Sequence, residues 1–320
     1  MVEGGVQVAV KEFTTAAEFQ QEKQNLDEIR GIRHPHLIRH LVTYETNSHY
    51  YVVFPWASGG NLSNLWQRDN SMERTEKLVL WSLRQMIGIA SALEALHNVN
   101  CRHGDIKPEN ILHFIHDEEE TLVLADVGVS RVHIHATKDR KGGTTTRATT
   151  PAYEAPEALT DNKSPRARKY DMWSLGCILL EYVIWLLEDL EAVKRFRDAR
   201  DGPDHEFYFL SNNKAEIHPT VRTTFRTLRE HTRCRNGTAI EALIDLVAEN
   251  LLQVDIDSRD PAEKVVQKLR EIVSAAEQNP SHLLNKVDPA PPKLYFLTRK
   301  ASIAYESSSS VIFEEPSSVD

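Results

Sequence analysis

The chain has 320 residues and a formal charge of −9, which suits one two-lobed domain of roughly 250 residues with a tail, or two smaller domains. The acidic balance argues against nucleic acid as a partner, since a nucleic-acid binder usually shows a clustered basic face. Three cysteines, Cys101, Cys177 and Cys234, lack any Cys-x-x-Cys spacing, so neither a disulfide framework nor a zinc site is indicated and a reducing, intracellular setting is expected, cytoplasmic or nuclear.

Residues 6–13 alternate and are β-branched, which predicts a strand carrying Lys11. Over 16–30, Phe19, Leu26 and Ile29 recur at helical spacing among Glu, Gln and Lys, and His34-Pro35 stops the resulting amphipathic helix. Two further strands are expected around 37–45 and 49–54, followed by the Gly59-Gly60 turn. From 73 to 97, Val79, Leu83, Met86, Ala90 and Leu93 mark one side of a long helix. A strand is expected at 121–125, with helices over 171–187, 238–252 and 261–276. The most apolar run, 177–187, contains Glu181 and is shorter than the roughly 20 residues a membrane span needs. No membrane segment or secretory signal is therefore expected. The pattern divides into a small α+β lobe at about 1–57 and a mainly helical lobe at about 58–278. Residues 279–320, with Pro-Ala-Pro-Pro and Ser307 to Ser310, have the composition of a disordered Ser/Pro-rich tail.

The stretch His103-Gly104-Asp105-Ile106-Lys107-Pro108-Glu109-Asn110 sets a carboxylate, an ammonium and a carboxamide at fixed offsets before an apolar run. That set suits metal-assisted phosphoryl transfer. It resembles the catalytic loop of eukaryotic protein kinases. The resemblance implies that Asp105 takes the proton of a substrate hydroxyl, Lys107 neutralises charge on the moving phosphate and Asn110 holds Mg2+. Val8-Ala9-Val10-Lys11 resembles the strand whose lysine reaches the α and β phosphates of ATP, with Ala9 lining the adenine pocket. Glu22, spaced with Leu26 and Ile29 before His34-Pro35, matches the carboxylate that holds this lysine. Asp126-Val127-Gly128 resembles Asp-Phe-Gly, so Asp126 is implied as a second magnesium ligand, and the smaller Val127 implies weaker two-state switching. Phe54 would be the gatekeeper, and the backbone of Pro55 and Ala57 would meet adenine, Pro55 through its carbonyl alone.

Residues 150–157, Thr-Pro-Ala-Tyr-Glu-Ala-Pro-Glu, resemble the family's peptide-substrate floor, with Glu157 implied as partner of Arg259. Asp171-Met172-Trp173-Ser174-Leu175-Gly176 resembles the start of the central helix, where the Asp supports the catalytic loop. The resemblance runs from about 6 to 275. It implies an α+β, two-lobed protein-kinase-like fold, ATP and Mg2+, and protein substrates with Ser/Thr acceptors, since the setting of Lys107 favours serine/threonine over tyrosine.

The chain also departs from the family. Gly104 replaces the usual Arg, so control through an activation-loop phosphate is not expected, although 129–149 are rich in Thr and basic residues. His-Gly-Asp also occurs in aminoglycoside and choline kinases, which makes a small-molecule kinase a competing reading. The Ala-Pro-Glu segment and the Asp171 helix favour a protein substrate over it. Only residues 1–7 precede the Lys11 strand, leaving no room for the two strands and glycine-rich loop that cover the phosphates. A truncated small-lobe sheet is expected, and with it the alternative of an impaired pseudokinase or scaffold. Arg299-Lys300-Ala301-Ser302 resembles a basophilic phosphorylation site. The acidic run 117–120 reads as a solvated turn, and 188–237 is charged and matches the family poorly.

Overall fold

The structure is a computed structural model that describes residues 6–46, 49–117, 119–127, 151–160, 167–202, 205–212, 214–234, 236–285, 294 and 296. Gly128, the 129–149 stretch, Thr150 and the Arg299 to Ser302 motif lie outside the described residues.

The first lobe is a three-stranded antiparallel sheet with one helix on it. Strands β1 (Val8–Phe13), β2 (Val42–Thr46) and β3 (His49–Pro55) run in the order β1-β3-β2. In β1 the pleat turns Ala9, Lys11 and Phe13 to the sheltered face and leaves Val8, Val10 and Glu12 outward. Helix α1 (Ala16–Ile29) begins where the Thr15 hydroxyl accepts the Glu18 N–H. It buries Phe19, Glu22, Leu26 and Ile29, and the Phe19 ring stacks on Tyr50 of β3. Residues 37–41, expected as strand, are not one. Leu37 bridges to Leu124, Ile38 N–H donates to the Leu124 carbonyl, and Leu124 N–H donates to that of His36. Leu37 and Ile38 thus pair with a distant strand, and only at Leu41, whose N–H donates to the Val53 carbonyl of β3 at 2.7 Å, does the chain rejoin the small-lobe sheet.

The second lobe is helical. Helix α2 (Leu62–Arg68) starts in a reciprocal box in which Asn61 and Asn64 each accept the other's backbone N–H. Helix α3 (Glu76–Asn98) is capped by Thr75. A short 3-10 turn, Pro108–Asn110, leads into the hairpin β4 (Ile111–His116) and β5 (Glu119–Leu124). After the turns Pro151–Tyr153 and α4 (Glu157–Thr160) comes α5 (Lys169–Leu187), buried from Tyr170 to Leu187. Among the described residues α5 alone has the length and apolarity of a membrane span, and it is enclosed by protein.

The poorly matching 188–237 stretch folds as α6 (Leu190–Ala199), a hairpin of β6 (Tyr208–Ser211) and β7 (Lys214–Ile217), and α7 (Pro219–Glu230). Helix α8 (Ala239–Leu246) widens into a π turn, Val247–Leu251, and α9 (Ala262–Gln278) packs along α3. A disordered tail was expected to begin at 279. The described residues beyond that point instead join the domain: Leu283, Leu284 and Leu294 are buried and the Phe296 ring lies 5.5 Å from Phe196.

The acidic run is also not a free turn. Glu119 and Glu120 belong to β5, and Glu120 Oε2 lies 2.9 Å from Nε2 of the fully buried His113. His113 in turn clamps the interlobe turn: its carbonyl accepts from Gly59 N–H at 2.9 Å and its N–H donates to the Gly60 carbonyl at 2.8 Å. A Cβ on Gly59 would fall 2.9 Å from the His113 carbonyl oxygen and inside the contact distance of its ring. Gly59→Ala is therefore expected to lower stability by about 1–3 kcal/mol, the usual cost of overpacking, measurable as a lower denaturant midpoint.

Candidate active site

Two charged groups face each other across the junction of the lobes. The first is anchored on the sheet. Lys11 on β1 donates to Glu22 Oε1 of α1 at 3.0 Å and to Asp126 Oδ1 at 2.8 Å. Burial alone would lower the Lys11 pKa, but the charges of Asp126 and Glu22 outweigh it and hold the ammonium above its ordinary range. Burial would likewise raise Asp126, and Lys11 reverses this, keeping the carboxylate below its ordinary range. Asp126 sits at φ 63°, a left-handed conformation that costs a non-glycine residue strain.

The second group lies in the loop before β4. Lys107 Nζ lies 2.8 Å from Asp105 Oδ2, and the Asn110 amide donates to the Asp105 carbonyl at 2.8 Å and to Oδ2 at 3.1 Å. The loop is held from below by Asp171 of α5, wholly buried. Its Oδ2 accepts from His103 N–H at 2.8 Å and lies 2.8 Å from His97 Nε2, while Oδ1 accepts from Gly104 N–H at 2.9 Å. Burial acts to raise the Asp171 pKa, yet these partners bring it below the ordinary value. Gly104 adopts φ 84°. A side chain there would strain the loop, so this glycine suits the turn that aims both N–H groups at one carboxylate. His103 Nε2 lies 2.9 Å from the Ala125 carbonyl, and Ala125 N–H donates to the Asn110 carbonyl at 2.8 Å, so the loop and Asp126 are tied together.

Between the lobes is a cavity of about 410 Å³ lined by Ala9, Lys11, Phe54, Pro55, Ala57 and Asp126. Asp105, Lys107, Asn110 and Glu22 are not on its wall. Ile38, Trp56, Asn61 and Leu112 also line it and were not singled out from the sequence. Ile38, Trp56 and Leu112 carry no local signal that separates a pocket wall from ordinary core, and Asn61 reads simply as the cap of α2. Phe54 rests on the small apolar cluster of Ile38, Phe114, Val123 and Ala125.

The donor set fits a hard cation. Asn110 uses its NH2 toward Asp105, leaving Oδ1 without a hydrogen bond among the described residues, and Asp126 Oδ2 is likewise without one. Mg2+ takes oxygen ligands and is commonly held by one or two protein groups plus substrate phosphates.

Beyond the loop, Arg259 grips Glu157 with Nη1 at 2.9 Å and Nη2 at 3.1 Å, the pair expected from the sequence. Over residues 2–269 the sequence matches the family described as protein kinase domain. The chain belongs to that family. Named relatives include a calcium/calmodulin-dependent protein kinase of Metarhizium anisopliae, 32% identical over 189 residues, covering 58% of this chain and 46% of that protein. CBL-interacting protein kinase 28 of Oryza sativa subsp. japonica is 32% identical over 233 residues, 70% of this chain and 51% of the relative. Serine/threonine-protein kinase Sgk1-A of Xenopus laevis is 34% identical over 158 residues, 49% and 33% of the two chains. The chain thus spans about half the length, or less, of these curated relatives.

Proposed function

We propose that this protein kinase domain transfers the γ-phosphoryl group of Mg-ATP to Ser or Thr hydroxyls of proteins. The observation that carries the reading is the meeting of the Lys11–Glu22–Asp126 group with the Asp105–Lys107–Asn110 group at one lobe junction beside an adenine-sized cavity. Ala9, Pro55 and Ala57 would border adenine, and Lys11, fixed by Glu22, would meet the phosphates. Asn110 and Asp126 would hold Mg2+, which when bound neutralises charge on the β and γ phosphates. Asp105 would orient the acceptor hydroxyl and receive its proton as the new O–P bond forms and the bond to the ADP oxygen breaks. Lys107 would screen the charge on the moving group.

A protein acceptor is favoured over a small molecule by the 151–157 segment, which is fixed to the domain by the Glu157–Arg259 pair and offers a floor beside the loop. The reading carries with it an intracellular setting, in keeping with three buried cysteines that form no disulfide among the described residues.

The test is incubation with γ-labelled ATP and Mg2+, offering a generic basic protein, an aminoglycoside and choline side by side, with Lys11→Met as control. Label on protein Ser/Thr that is lost in the control is the expected result. Label on a small molecule alone would overturn the acceptor class. No label from folded protein would overturn the activity and favour a scaffold role.

A further inference from the structure

Glu181 lies in the middle of the apolar helix α5 with no exposed surface, and its two oxygens are shared by three donors. Tyr153 Oη donates to Oε2 at 2.9 Å. Arg197 Nε donates to Oε1 at 3.0 Å and Nη2 to Oε2 at 2.7 Å, and Arg200 Nη2 donates to Oε1 at 3.2 Å. Arg197 Nη2 also lies 2.9 Å from the Tyr153 hydroxyl, so it bridges both. Three parts of the chain meet here: the 151–157 floor, α5, and α6 from the stretch that matches the family poorly.

The two arginines have different surroundings. Arg200 is almost fully buried between the rings of Phe196 and Phe207, 4.1 and 4.0 Å from its guanidinium, and its Nε donates to the His205 carbonyl. It is the deep counter-ion of Glu181. Arg197 is half-buried, and Glu109 of the catalytic loop is close enough to act electrostatically on both Arg197 and Tyr153. Tyr153 is held at its other end by Ser174, whose hydroxyl donates to the Tyr153 carbonyl at 2.8 Å. The phenol end is fixed by Glu181 of α5 and Arg197 of α6, and its ring lies 6.4 Å from that of Phe207.

We propose that Arg197 is a positioning residue: by bridging Glu181 and the Tyr153 hydroxyl, it couples α6 to the 151–157 segment and sets that segment for the protein acceptor. This deepens the protein-acceptor reading above and rests on it. With Arg197 removed, Arg200 still neutralises Glu181, so the core is not left with an unpaired charge and the variant is expected to fold. Lysine at this position keeps the charge but lacks the planar fork that reaches two acceptors.

The experiment compares Arg197→Ala, Arg197→Lys, Tyr153→Phe and the Arg197→Ala/Tyr153→Phe double variant, with Arg195→Ala, exposed on the same helix, as control. Arg197→Ala is expected to raise KM for a protein substrate at least fivefold while KM for ATP and kcat stay within twofold, with Arg197→Lys in between. Amide exchange over 151–157 should quicken about tenfold, with α5 unchanged. The double variant should lose less than the sum of the two single losses, because both single variants remove the Arg197–Tyr153 bond. Unchanged exchange in 151–157, faster exchange spread over all of α5 and α6, or an equal rise in KM for ATP would overturn the proposal. If the wild type transfers no phosphate, the activity reading fails by itself, and the exchange measurement still decides whether Arg197 holds the segment.

Discussion

Asp105→Asn is expected to slow phosphoryl transfer by about 10²- to 10⁴-fold, the range lost with a positioned general base, while Mg-ATP binding stays within a factor of about two. The change is nearly isosteric. The Asp105 carboxylate touches the Lys107 ammonium at 2.8 Å and the Asn110 amide at 3.1 Å, and the bond from the Asn110 side-chain amide to the Asp105 carbonyl survives the substitution. Asp171 goes on holding the loop through His103 and Gly104 N–H. Because Asp105 is not on the cavity wall whereas Lys11 and Asp126 are, nucleotide affinity and chemistry should separate. Single-turnover transfer measures the chemistry, and the ATP-induced rise in melting temperature reports the nucleotide affinity. Retention of more than a third of wild-type transfer would show that the carboxylate is not the base. Parallel loss of nucleotide binding would place Asp105 among the groups that hold ATP.

The sequence exposed this part of the site because its groups lie within one short loop, where offsets of two and five residues are visible without any fold. Lys11 with Glu22 was readable only through the resemblance, Val8-Ala9-Val10-Lys11 matching the family's strand and Glu22 with Leu26 and Ile29 its helix, and the two side chains do meet at 3.0 Å. What local pattern could not disclose were contacts made across the chain. Residues 36–38 look like a strand lead-in but bind the end of β5. Glu120 looks like part of a solvated acidic turn but is drawn to a buried histidine four residues into the opposite strand. The helical pattern over 238–252 is real, yet Leu252 N–H reaches back five residues to the Val247 carbonyl, a widening that hydropathy does not encode. Glu181 did leave a signal. A carboxylate inside an otherwise apolar run must find partners once buried. The sequence could not name them, because Arg197 and Arg200 lie in a stretch with no familiar motif.

Arg259→Ala is expected to lower the unfolding free energy by about 3–5 kcal/mol, the cost of removing one partner of a buried ion pair. Arg259 is almost fully buried and does more than pair with Glu157. Its Nη1 donates to the Lys169 carbonyl at 2.8 Å, Nε and Nη2 donate to the Gln253 carbonyl at 3.2 and 2.9 Å, and its guanidinium lies 5.2 Å from the Trp173 ring. One side chain thus ties α4, the start of α5 and the turn after α8. Alanine leaves the Glu157 carboxylate and the Lys169 and Gln253 carbonyls without this donor. Glu157→Gln, by contrast, keeps an acceptor and removes only the charge. Its cost should be nearer about 1.5–3 kcal/mol, the worth of a hydrogen bond to a charged group. Urea unfolding should show both as lower midpoints with unchanged slopes. An Arg259→Ala loss below about 1 kcal/mol, the level of an exposed pair, would mean that Arg259 does not anchor this corner. At temperatures where the variant stays folded, the cavity and Lys11 should still bind nucleotide. The 151–157 floor, cut from its anchor at Glu157, should present a protein acceptor poorly, so stability and acceptor KM should shift together while KM for ATP does not.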